Sequence, residues 1–185
     1  MKVFLNPGHC PGVDSGAVNQ DTGLQEADVA LSIGKLVSGY LKAAGCEVHL
    51  LQSDNLMYDG EGPCVCDTAN EWPADIFVSI HCNAANTEAH GTEVEIYPGS
   101  DESQRLGQCI QSQIVDSLGT TDRGLKERPG LCVLKYTDMP AVLVETAFID
   151  NDEDAELLTN QQDDFARAIA RGITDYEQAA TEAKN

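Results

Sequence analysis

The chain has 185 residues, enough for one domain with a sizeable core and too few for two of ordinary size. Its apolar share is ordinary for a soluble globular protein, and no stretch approaches the ~18 apolar residues of a membrane span. A formal net charge of −20 and a pI near 4.2 argue against nucleic acid, and against adhesion to anionic membranes or anionic wall polymers.

The opening MKVFLNPGHC has too short an apolar run for a secretory signal and reads as the first strand. The expectation is a protein made in the cytoplasm without a signal peptide. Seven cysteines, Cys10, Cys46, Cys64, Cys66, Cys82, Cys109 and Cys132, are odd in number and scattered, as free thiols of a reducing compartment would be. Cys64 and Cys66 lack a second pair at zinc-finger spacing and read as a loop feature.

Lys2 to Asn6 is a short strand that breaks into a loop rich in glycine and proline, with His9 just past its carboxyl end. By itself His9 is a surface imidazole. From Gly23 to Ala44 the apolar residues recur at helical spacing, and Gly45 stops the run. Glu26 projects from the buried stripe of that helix near its N-terminus. The dipole favours an acid there, but an inward one needs a partner. Cys46 to Gln52 is predicted as the second strand, and Ser53 to Trp72 as a polar connection with one short helix around Asp67 to Glu71. Asp75 to Ile80 is a continuous apolar strand that delivers His81. Gly91 to Tyr97 alternates like a half-exposed or edge strand. Ser100 to Leu118 is a second amphipathic helix, and Leu131 to Lys135 reads as a strand.

Ala141 to Ile149 is an apolar run suited to a central strand covered on both faces, and it contains Glu145. An ionised carboxylate there is costly unless something pairs with it. It is either bonded to a nearby amide or arginine at the strand's end, or a catalytic base facing a cleft. Two more helices follow, and the acidic end after Glu177 is expected to fray. Strands alternating with helices, with no repeat or linker, predict a single three-layer α/β domain. Its sheet has about six strands, mostly parallel and twisted, with helices on both faces.

In such sheets, sites form beyond the carboxyl ends of the strands. His9, His81 and Glu145 lie at that rim, and Glu26 opens the helix that follows the first strand. Two imidazoles and a carboxylate match the ligands of a hydrolytic zinc site, and a further carboxylate near its water would serve as general base. Asp14 and Glu93 fall near the same rim, and Glu93 either orients a ligand or simply obeys strand alternation. His49 reads as structural and His90 as solvated. Cys10 and Cys82, each beside a candidate ligand, read as core thiols, because neighbours on a strand face opposite ways.

The segments NPGHCPGVDSGA, TANEWPADIFVSIHCNA with GTEVEIYP, and PAVLVETAFIDNDEDAELL, together with the helix opening at Glu26, resemble the zinc-dependent N-acetylmuramoyl-L-alanine amidases of the amidase type 3 family. They run from residue 3 to about 173. The resemblance implies one zinc per chain held by His9, Glu26 and His81, with Glu145 as catalytic acid/base. It also implies a catalytic domain over residues 1–177, with 178–185 as a tail. The substrate would be the peptidoglycan amide between N-acetylmuramic acid and L-alanine of the stem peptide. The sequence departs from the family at GHCPG, at Asp67 in place of an arginine, and at AFIDN, all of which bear on substrate fit. Some division-associated relatives insert a blocking helix before the catalytic strand; residues 82–144 leave no room for one, so no activator protein is expected. The absence of a signal suits a phage endolysin or a domain of a longer wall-degrading protein. Two rivals remain: a zinc exopeptidase on a related sheet, with Arg105, Arg123 or Arg128 clamping a free carboxylate, and a non-catalytic wall-binding domain.

Overall fold

Successive residues of a strand point to opposite faces of the sheet, and in the central segments both sets are apolar, so both faces must be covered. The computed structural model describes residues 1–182 and shows how. Six strands, β1 (Lys2–Pro7), β2 (Glu47–Leu50), β3 (Ile76–Asn83), β4 (Thr92–Ile96), β5 (Asp122–Glu127) and β6 (Ala141–Phe148), form one sheet in the order β2-β1-β3-β6-β4-β5. Every neighbouring pair is parallel except β4 and β6. The helices are α1 (Glu26–Ala43), α2 (Val65–Glu71), α3 (Asp101–Leu118), α4 (Cys132–Lys135), α5 (Asp152–Asn160) and α6 (Gln162–Glu182). This is the expected three-layer α/β domain.

The larger core lies on one face. Val3, Leu5, Val78, Ile80, Val142 and Val144 meet Ile33 and Val37 of α1, Ile110 and Ile114 of α3, and Phe165 and Ile169 of α6. Burying each such side chain stabilises by roughly 1.5–3 kcal/mol, which fixes the strand register, since a slip by one residue would expose the whole set. On the opposite face Phe4, Phe77 and Leu143 pack under Val65 and Ala69 of α2 and Val133 and Leu134 of α4. His49 belongs to this second layer, between the Phe4 ring at 4.9 Å and the Trp72 ring at 5.5 Å, so it is structural. His90 is exposed, its Nδ1 3.1 Å from the Glu88 carbonyl.

Three expectations are corrected. Leu131 to Lys135 is not a strand: Cys132–Lys135 is a turn of helix, and the short apolar run reflects Val133 and Leu134 packing down onto the sheet. The strand at that place in the chain is β5, DRGLKE, whose single leucine leaves little apolar pattern to detect. Because β5 forms the edge, β4 is interior and buried along its length rather than half-exposed. The tail expected to fray from residue 178 is helical as far as Glu182, and residues 183–185 lie outside those described.

Candidate metal centre

β1, β3 and β6 run parallel, so their carboxyl ends share one rim. Beyond β1 the Gly8 amide bonds the Ile80 carbonyl at 2.8 Å, and His9 follows with φ of 59°, a conformation uncommon for a residue with a side chain. The loop is closed by Cys10 and Asp14, whose amides and carbonyls bond each other at 3.0 and 2.8 Å. Asp14 Oδ2 lies 2.6 Å from His9 Nδ1, which places the ring proton there and turns Nε2 inward. Glu26 begins α1 and is only 4% exposed; the amides of Ala17 and Cys82 donate to its two oxygens at 2.9 and 3.1 Å. His81, near the end of β3, has Nε2 3.1 Å from Ser79 Oγ and so directs Nδ1 at Glu26.

The three side chains converge. His9 Nε2 is 3.0 Å from Glu26 Oε2, and His81 Nδ1 is 2.9 Å from Glu26 Oε1. One donor atom from each lies within 4.8 Å of the others, so the trio can hold a metal ion. Ligands at the ~2.0–2.1 Å bond lengths of a tetrahedral nitrogen–oxygen zinc site stand about 3.3 Å apart, within the 4.8 Å spread of these donors. The backbone is shaped around the cluster. A Cβ at Gly16, where φ is +64°, would fall 2.5 Å from His9 Cδ2 and 2.6 Å from Glu26 Oε2, and one at Gly8 would fall 2.2 Å from His81 Cε1.

Electrostatics follow from this crowding. The bond to Glu26 pushes the His9 imidazole up to about 9 against the effect of burial, with Asp14 adding to the rise. Burial works to raise Glu26, but the bonds from His81 and His9 outweigh it and hold the carboxyl well below the usual range. The cluster is therefore an anionic carboxylate braced by imidazoles, a setting in which a cation replaces shared protons.

Glu145 stands opposite His81 in the β3–β6 register. Its Oε2 is buried and, among the described residues, has no hydrogen-bond partner. Burial first, then the charges of Glu26, Glu95 and Glu93, push its carboxyl well above the ordinary value. Beside the cluster lies a cavity of about 160 Å³ whose lining includes His9, His81, Asp54, Leu56, Leu131 and Val133.

All four residues singled out in the sequence thus meet at one rim. Asp14 proves to be the partner of His9, whereas Glu93 touches no ligand: it accepts from Asn83 Nδ2 at 3.1 Å and from Arg123 Nε at 2.7 Å. Cys82 is buried, its Sγ 3.6 Å from Thr146 Oγ1, and Cys10 is not among the converging donors. Ser79 was missed, although its place two residues before His81 on one strand face was a usable signal.

The family described as N-acetylmuramoyl-L-alanine amidase matches residues 3–175. The chain is 41% identical over 179 residues to the uncharacterized protein YqiI of Bacillus subtilis, covering 94% of this chain and 84% of that one. It is 37% identical to the N-acetylmuramoyl-L-alanine amidase LytC of Bacillus subtilis, again over 94% of this chain but only 35% of LytC, so it spans about a third of that relative. The solved N-acetylmuramoyl-L-alanine amidase AmiC2 of Nostoc punctiforme superposes with a TM-score of 0.84 at 33% identity, covering 96% of this chain and 97% of that one.

Proposed function

Because the chain belongs to the N-acetylmuramoyl-L-alanine amidase family, we propose that it hydrolyses the peptidoglycan amide between N-acetylmuramic acid and L-alanine of the stem peptide. His9, Glu26 and His81 would hold one zinc ion, with Glu145 as the general base and acid. The observation that carries this reading is the convergence of three ligand-type atoms within 4.8 Å, with Glu145 across from His81. The donor set fits zinc: two imidazole nitrogens, each with the ring's other nitrogen occupied, and one buried carboxylate.

When bound, zinc supplies a Lewis acid that polarises the scissile carbonyl and makes water more acidic. Glu145 takes the proton of the attacking water and delivers it to the alanine nitrogen as the amide breaks. A carboxylate whose Oε2 lacks any partner among the described residues is free to make that transfer, and its raised basicity favours taking the proton. Asp14 keeps His9 in the tautomer that presents Nε2. The apolar wall of Leu56, Leu131 and Val133 excludes water beside the reacting bond and receives the stem peptide.

We further propose a wall-acting enzyme that needs no activator protein, since the His9 and His81 side chains are 26% and 18% exposed and so open to substrate. Among the described residues no helix is long and apolar enough to cross a membrane. Mass spectrometry of purified muropeptides incubated with the protein alone tests the assignment. Release of peptides with a new N-terminal L-alanine is expected, abolished by chelator. Release of a terminal residue of the stem peptide instead would indicate an exopeptidase.

A further inference from the structure

On the sheet face that carries Glu145, β4 presents Glu93 and Glu95, with Glu93 directly opposite Glu145. Both are nearly inaccessible, at 3% and 6%, so each needs a counter-charge. Two arginines from the β5 side provide it. Arg123 Nε lies 2.7 Å from Glu93, and its guanidinium also covers the Phe148 ring at 4.8 Å. Arg128 Nε lies 2.8 Å from Glu95, while its Nη2 is 3.8 Å from Glu93, too far for a hydrogen bond.

The two arginines differ in what they leave free. The Arg123 side chain is 34% exposed and, like that of Arg128, bonds only from Nε among the described residues, but one face of its guanidinium is covered by the Phe148 ring. The Arg128 side chain is 49% exposed, and among the described residues its side-chain hydrogen bonds run only from Nε. Its backbone is pinned by a hydrogen bond from its amide N–H to the Ile96 carbonyl at 2.9 Å. The Nη edge, which grips carboxylates in bidentate fashion, is therefore unbonded among the described residues on a half-exposed guanidinium, with Nη2 3.8 Å from Glu93 and the group within electrostatic reach of Glu145. Elsewhere the surroundings repel anions. The chain has 31 acidic residues against 11 lysines and arginines, and among the described residues the cavity at His9 and His81 is lined by Asp14 and Asp54 and by no lysine or arginine.

We propose that Arg128 is a substrate-binding residue that receives a stem-peptide carboxylate. The ligand is the carboxylate nearest the scissile amide: the free α-carboxylate of the γ-linked glutamate that follows L-alanine. This rests on the amidase assignment. Stem peptides in which that carboxylate is amidated lose the bidentate contact and should be poorer substrates.

The test compares two muropeptides identical except for glutamate or isoglutamine at that position. The wild-type protein should cleave the carboxylate form with a kcat/KM about tenfold higher, the scale of one charge-assisted contact. Arg128→Gln should bring that ratio close to one by raising KM for the carboxylate form, leaving the amide form within about twofold. Arg128→Lys should keep part of the preference. Because Arg128→Gln also uncovers Glu95, the double variant with Glu95→Gln is needed, and it should lose the preference equally. Equal rates on both substrates in the wild type, or an equal loss on both in Arg128→Gln, would overturn the inference alone. So would a preference restored in the double variant, which would make Arg128 only a counter-charge. Absence of cleavage of either substrate would sink the amidase assignment and this inference with it.

Discussion

Glu145 and His81 are Cα partners across the parallel β3–β6 pair, so a candidate ligand and a candidate base are held on adjacent strands by the sheet's own hydrogen bonds. Neither depends on a mobile loop for its placement. Both strands are buried along nearly all of their length. The distance between them is thus set by the most rigid part of the molecule, as a site that must position atoms closely requires.

Metal content is the first consequence. Protein purified without added metal should carry one zinc per chain by elemental analysis. His81→Ala removes one of three converging donors and should lose most of it. Full occupancy in that variant would show that the ion, if present, sits elsewhere.

Asp14 gives a finer test, because its carboxylate holds His9 Nδ1 at 2.6 Å while accepting from the Gly16 amide at 3.0 Å, and it is not itself one of the converging donors. Asp14→Ala frees the imidazole to take the other tautomer or rotate. Zinc affinity, measured by competition with a chromogenic chelator, should fall by about 10–100-fold, the usual cost of losing such a partner. An unchanged affinity would mean that the loop alone orients His9.

The convergence at the rim was legible in the sequence because each residue sits at a point the local pattern marks: His9 and His81 just at strand ends, Glu145 in an apolar run, Glu26 opening a helix. What was not legible depends on partners distant in sequence. β5 is a strand because β4 pairs with it, and DRGLKE carries almost no pattern of its own. LCVLK has an apolar run that either a strand or a helical turn can bury, and only the packing of Val133 and Leu134 onto the sheet decides between them. The same holds for Arg128, whose meaning comes from Glu93 and Glu95 about thirty residues earlier.

The metal-free protein should show a particular dependence on pH. The His9 imidazole rises from 6.5 to about 9 in the folded chain, chiefly through its bond to Glu26. Stability from its protonated form is complete below 6.5 and lost as pH rises through about 9. Glu26 is shifted the other way, so its share is present above 4.5 and lost in acid. Thermal unfolding after metal removal should therefore show Tm falling by several degrees between pH 6.5 and 9.5, whereas the zinc-loaded protein, in which a cation replaces the proton, should stay nearly flat. Parallel curves for the two forms would contradict the shared-proton account of the cluster.

The last prediction separates the two inward carboxylates. Glu26 touches both imidazoles and receives two amide hydrogen bonds, whereas the Oε2 of Glu145 has no partner among the described residues. Glu26→Gln replaces an anionic donor with a weaker neutral one whose NH₂ also meets an amide donor it cannot accept from. Zinc content and activity should fall together, and excess zinc should restore part of the activity. Glu145→Gln keeps the shape and leaves His9, Glu26 and His81 untouched, so zinc should remain near one per chain. With no proton acceptor, its turnover should drop by roughly 10² or more, the usual scale for losing a positioned general base, and added metal should not help. It should also be at least as stable as the wild type, because a neutral amide removes the repulsion that Glu26, Glu95 and Glu93 impose on a buried charge. The measurements are zinc content, Tm and the rate of release of N-terminal L-alanine from muropeptides, made on both variants. Loss of zinc from Glu145→Gln with retention in Glu26→Gln would reverse the roles, and full activity of Glu145→Gln would place the base elsewhere.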